Sequence, residues 1–182
     1  MADFARKFFK TAGLFPRAVR FALREPGAAL TVLRMAAWVA AVSLLLKRMP
    51  LPRVLNLVEP RRRRTRARLD VAQTHPRLAA QTQARLAEET QAKLVEETQA
   101  RLARLLDALL ATDVLCFTPT CWKRAPVLHR FLALEGIETR VLFGIRRDGA
   151  GELGGHAWLE AEGEPLLEPV APDYKVTYSF PV

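Results

Sequence analysis

Cysteine and histidine are scarce in this chain, with two of the first and three of the second among 182 residues. No disulfide framework can be written from them and no secretory leader is recognisable, which points to a reducing, cytoplasmic setting. A zinc site would need Cys116, Cys121, His129 and His156 together. Cys-x4-Cys-x7-His is not a finger spacing, however, and on a helix His129 turns away from Cys121. Neither a metal nor another cofactor is expected.

An uninterrupted membrane-length apolar run is also missing. The most apolar window, Ala28 to Leu46, is broken by Arg34, which leaves twelve uncharged residues from Met35 onward against the ~20 that a span requires. A buried core helix closed by Pro50 and Pro52 is the better reading, with a membrane span as the alternative. Strand-like alternation is absent from residues 1–110, so any sheet must come from the C-terminal part.

Positive charge is abundant and unevenly placed. Residues 1–70 carry 16 Lys/Arg and 4 Asp/Glu, a net of +12, whereas residues 71–182 carry 12 and 15, a net of −3. Residues 1–27 read as a cationic amphipathic extension. Phe4, Phe8 and Phe9 oppose Arg6, Lys7 and Lys10, which suits either a membrane surface or docking on the rest of the domain. The run Arg61 to Arg68 lies in a basic linker at about 59–73 and could meet anionic lipid or an acidic peptide. With no aromatics interleaved and no nucleic-acid module beside it, nucleic acid is not the expected partner.

An eight-residue repeat follows, in a helix at about 74–101. Thr82 to Glu89 recurs as Thr90 to Glu97, and Thr98 begins a third copy. Eight residues advance ~800° around a helix, so the leucines drift by ~80° per copy and form no seam. The segment reads as a solvated helix supported by pairs such as Glu89–Lys93. From Leu102 the stripe Leu102, Leu105, Leu106, Leu109 and Leu110 predicts docking on a core. Residues 28–182 are thus expected to form one domain, interrupted by the linker and the repeat.

The chemistry lies further on. Thr118-Pro119 is a helix-start signal that places Cys121 in the first turn, where the positive helix end favours a thiolate. Ala125, Leu128 and Leu132 share its stripe, Gly136 should end the helix, and Pro126 should kink it or delay its regular part. Val141, Phe143 and Ile145 alternate through a strand at 139–145, Asp148-Gly149 marks a turn, and His156 opens a second strand. A three-residue hairpin loop, Ala161-Glu162-Gly163, would pair Glu160 with Glu164 and set Glu168 across from His156. A two-residue turn would put Glu168 on the wrong face. Cys121, His156 and Glu168 are then a nucleophile, a base and the acceptor that orients the base, all within reach of one another.

The series Cys-x-x-Arg-Ala, a leucine-rich helix, Glu-Gly-Ile, a strand ending Gly-Ile-Arg-Arg, and His-Ala-Trp-Leu-Glu resembles a known family. It is similar to the C-terminal domain of microcin-processing McjB, the lasso-peptide B proteins of the transglutaminase-like, papain-type cysteine peptidase superfamily. The matching positions are Cys121, Arg124, Ala125, Leu128, Gly136, Ile137, Gly144, Arg146, His156, Ala157, Trp158 and Glu160. The likeness covers residues 114–180 well and 28–58 loosely. It implies an α+β fold with the cysteine helix packed on a small antiparallel sheet, Cys121 as nucleophile and His156 as base. The family's third residue is usually Asp in the strand after the histidine. Here Glu168 fits that place, with Asp173 as the fallback. The implied reaction removes the leader from a ribosomally made precursor peptide, with a separate leader-recognition protein and a cyclase as partners. Acyl transfer to an amine is the alternative chemistry, and a non-catalytic scaffold held on membrane or nucleic acid is the alternative class.

Overall fold

The computed structural model describes residues 25–60, 78–113, 116–147 and 151–181, with side chains in the repeat helix from residue 87 onward. Most of the cationic extension, the Arg61–Arg68 run and the Asp148-Gly149 turn lie outside the described residues. The described part is α+β. Four helices, α1 (Pro26–Leu45), α2 (Leu51–Val58), α3 (Leu78–Leu110) and α4 (Cys121–Leu134), precede four strands. These are β1 (Arg140–Arg147), β2 (Leu153–Ala161), β3 (Glu164–Leu166) and β4 (Lys175–Phe180), in an antiparallel sheet of order β3-β2-β1-β4.

The helices form because each has one stripe to bury. On α1, Met35, Val39 and Val42 are fully covered, at the four- and three-residue spacings of one helical face. By length and composition α1 could also cross a membrane, and Leu30, Leu33 and Leu44 stay exposed on it. Val54, Leu55 and Val58 of α2 join the same core as Leu128 and Leu132 of α4. Each such leucine, fully buried, stabilises the fold by about 1.5–3 kcal/mol. Arg130 ties three helices together, since its guanidinium lies 3.9 Å above the Trp38 ring of α1 and donates to the Val58 carbonyl of α2. Burial lowers the pKa of that guanidinium.

α3 runs unbroken through the repeat. Residues 87–97 are exposed except for a half-covered Val95, and Leu94 is 53% exposed. Docking begins at Gln99, inside the third copy and three residues earlier than the leucine stripe announces. It continues through the buried Leu102, Leu106 and Leu110.

α4 starts later than its sequence signal. Thr120, not Thr118, is the N-cap residue, extended and without a side-chain cap bond, so Cys121 is the first helical residue. Pro126 lies inside the helix without ending it; so early in a helix it removes a single interior bond. Gly136 closes α4 with φ +80°, while Ile137 N donates to Leu132 O at 2.9 Å, the left-handed stop that glycine permits without strain.

β1 is central, which changes its burial. Val141, Leu142 and Phe143 are buried in succession and Ile145 is 38% exposed, whereas simple alternation would bury Ile145 and expose Leu142. The helix core covers the face of Val141 and Phe143, while Trp158, across from Leu142 and beside Tyr174, covers the other. The hairpin also departs from expectation. Ala161 pairs with Glu164, Glu160 with Pro165 and Leu159 with Leu166. The loop is therefore the two residues Glu162-Gly163, with φ of 53° and 89°, the two positive values that a type I′ turn requires.

Candidate functional site

The β1–β2 ladder fixes which way His156 points. It opposes Gly144, and Trp158 opposes Leu142, while Ala157 opposes Phe143 on the other face. That other face carries the helices: Trp122 of α4 lies 5.0 Å from the Phe143 ring, and a Cβ placed on Gly155 would sit 3.6 Å from Trp122. His156 thus belongs to the face away from the main core. There its ring stacks on Trp158 at 5.8 Å and lies 5.3 Å from Tyr174. Gly144 makes room for this cluster, since a Cβ there would meet Tyr174 Cβ at 2.7 Å and the Trp158 ring at 3.0 Å.

Glu168 reaches His156 by a route other than the expected register. With a two-residue loop, the β2–β3 ladder continued past Leu166 would set Glu168 opposite Ala157, on the helix side. The ladder stops at Leu166 instead, and Leu167 turns left-handed at φ 58°, a conformation uncommon for a side chain of its kind. The chain swings back, and Glu168 Oε2 lies 3.1 Å from His156 Nε2. A carboxylate there accepts the Nε2–H and leaves Nδ1 unprotonated in the neutral ring. The Glu168 side chain is only 12% exposed. Asp173 does not take this place, being 95% exposed and 4.0 Å from Arg146.

Cys121 is half-buried and packs against the core at the first residue of α4. Among the described residues no hydrogen bond links its sulfur to the His156 ring. What joins the cysteine helix to the histidine is Arg124, one turn beyond Cys121. Its Nη1 lies 3.9 Å from Glu168 Oε1, while Nε and Nη2 donate to Asp107 of α3 at 2.7 and 3.2 Å. Cys116 is placed otherwise: its carbonyl accepts from Lys123 Nζ at 3.0 Å and from Ser43 Oγ at 3.5 Å. His129 is a core residue, 4% exposed, with Nδ1 2.8 Å from Thr139 Oγ1 and its ring edge-on to Phe180. Burial pushes its pKa down to about 4.

An open cleft of about 280 Å³ borders the pair, lined by His156, Glu168, Arg146, Tyr174 and the 169–173 loop. One side of the imidazole is therefore accessible to a substrate. Sequence reasoning assigned no role to Arg124, Asp107 or Tyr174. Arg124 stands three residues from Cys121, hence on its helix face, and belongs to the Cys-x-x-Arg-Ala series, signals that mark its place without naming a role.

Against known proteins, the family model described as "Transglutaminase-like superfamily" matches residues 29–179. No curated protein and no solved structure matches the chain.

Proposed function

We propose, from the premise that this chain belongs to the transglutaminase-like superfamily, that it is a cysteine peptidase removing the leader from a ribosomally made precursor peptide. Membership brings the thiol acyl chemistry shared by peptidases and transglutaminases. The narrower reading gives Cys121 the role of nucleophile, His156 that of base and Glu168 that of orienting carboxylate. The observation that carries it is the 3.1 Å bond from His156 Nε2 to Glu168, which leaves Nδ1 to receive the thiol proton. The thiolate attacks the scissile carbonyl, the imidazolium returns its proton to the departing amine, and a thioester remains. Water, deprotonated by His156, then releases the acid and the free thiol. Catalysis then requires the Cys121 sulfur, on the helix side of the sheet, to meet the His156 ring in the substrate complex. The Cys121 backbone N–H, at a helix start, supplies one oxyanion donor.

The partners proposed are the precursor peptide, a separate leader-recognition protein and a cyclase. Among the described residues every strand lies beyond residue 139, within the domain that carries the site, so leader capture by an added strand is assigned to the separate protein. Contact with a membrane surface is proposed through residues 1–27 and the Arg61–Arg68 run, with the exposed leucines of α1 in support.

The test looks for a short precursor-peptide gene and a cyclase gene next to this one, incubates the purified chain with that precursor, with and without the recognition protein, and follows products by mass spectrometry. Cleavage is expected to rise by orders of magnitude with that protein, to vanish in Cys121→Ala and to persist in Cys116→Ser. Equal cleavage by Cys121→Ala would overturn the reading. Transfer of the acyl group to an added amine, with no hydrolysis, would replace it with the acyltransferase alternative.

A further inference from the structure

Arg124 has a carboxylate on either side. Asp107 holds two of its nitrogens, at 2.7 and 3.2 Å, in the fork-to-fork manner that fixes a guanidinium plane. The third nitrogen, Nη1, faces Glu168 Oε1 at 3.9 Å. The other oxygen of the same carboxylate meets His156 at 3.1 Å. Glu168 needs such a restraint, because its backbone leaves the ladder at Leu166 and passes through a left-handed residue. An ion pair this long, with Arg124 24% exposed, adds little to stability. Its effect is directional.

We propose that Arg124 is a positioning residue. Anchored to α3 by Asp107, it turns Oε1 of Glu168 toward α4 and so presents Oε2 to the Nε2–H of His156, fixing the imidazole tautomer whose free nitrogen is Nδ1. The proposal rests on the reading of His156 and Cys121 as base and nucleophile, and it adds a requirement from outside that trio. It also ties the helix that bears the repeat to the site through one side chain, Asp107.

The experiment uses the full chain with ¹⁵N-labelled histidine in a Cys116→Ser background, and compares wild type with Arg124→Gln, Arg124→Lys and Asp107→Asn. Long-range proton–nitrogen spectra read the tautomer of His156, and iodoacetamide rates across pH read the reactivity of Cys121. Wild type should show one dominant tautomer protonated at Nε2. Arg124→Gln should show a mixture, with alkylation at neutral pH slowed by about threefold or more and melting temperature little changed. Lysine should restore part of both signals, and Asp107→Asn should give a milder version of the glutamine result. Unchanged tautomer and alkylation in Arg124→Gln would overturn the proposal. So would a change that comes with lost cooperative melting and no recovery by lysine, since that is a structural role. Cleavage that needs Cys121 beside an indifferent Arg124 would sink this inference and leave the peptidase reading standing. A tautomer that depends on Arg124, in a chain that cleaves nothing, would do the reverse.

Discussion

Glu168 meets His156 at 3.1 Å although the strand that leads to it is out of step by one residue. The left-handed backbone of Leu167 makes up the difference. Proline cannot adopt a positive φ, so Leu167→Pro should uncouple the pair, whereas Leu167→Ala removes similar packing and keeps the turn available. The proline variant is expected to lose about 10²- to 10⁴-fold in kcat/KM relative to alanine, the range that a displaced general base accounts for. Equal rates in the two variants would deny Leu167 this role.

Gly144 is a second backbone requirement. A methyl group there meets Tyr174 Cβ at 2.7 Å and the Trp158 ring at 3.0 Å, and both ring systems pack on His156. Gly144→Ala should destabilise by about 1–3 kcal/mol, as overpacking of a fitted site does, and should lower activity through the displaced imidazole. Thermal melting and kcat/KM on the same preparation check both effects.

Acid stability should follow His129. Its imidazole is buried, with a pKa of about 4 against an ordinary 6.5. Below pH 6.5 the unfolded chain binds a proton that the folded chain refuses until about pH 4, so stability is complete above that window and falls through it. The loss amounts to about 3 kcal/mol. Denaturant melts at pH 7 and pH 4.5 should differ accordingly. In His129→Gln, which keeps a partner for Thr139, this difference should shrink by most of that amount.

Deleting Thr90 to Glu97 should leave melting temperature and activity nearly unchanged, because residues 90–97 are exposed, apart from half-covered Val95, and docking starts at Gln99. A fall of more than about 5 °C would correspond to more than ~1 kcal/mol and would mean that the removed copy is packed.

Much of this was legible in residues whose partners are near in sequence. The stripe Ala125, Leu128, Leu132, the stop at Gly136 and the docking leucines of α3 all follow from helical spacing. Gly163 is left-handed, as a loop glycine permits, but Glu162 shares that conformation, and a glutamate gives no local sign of it. The loop therefore came out one residue too long. Leu167 compensates, so the expected meeting of His156 and Glu168 is present through a different path. The start of α4 was set two residues early because Thr118-Pro119 is a good cap locally, while tertiary packing fixed the first turn at Cys121. Arg124 stayed without a role because Asp107 and Glu168 approach it from separate elements. No spacing rule reports that.

The repeat in α3 has a meaning beyond its indifference to stability. Each copy adds eight residues, so it lengthens the helix by ~12 Å and turns the helix start by ~80° relative to the docked segment. The copies from Thr82 to Glu97 lie before the docked segment that begins at Gln99, so a change in their number falls outside it. Copy number is then a ruler: it sets how far the helix start at Leu78 stands from the docked segment, in fixed increments, while α1 and α2 keep their place in the core with α4. Related chains that differ only in their count of copies would share one docked core while holding the start of this helix at different distances from it.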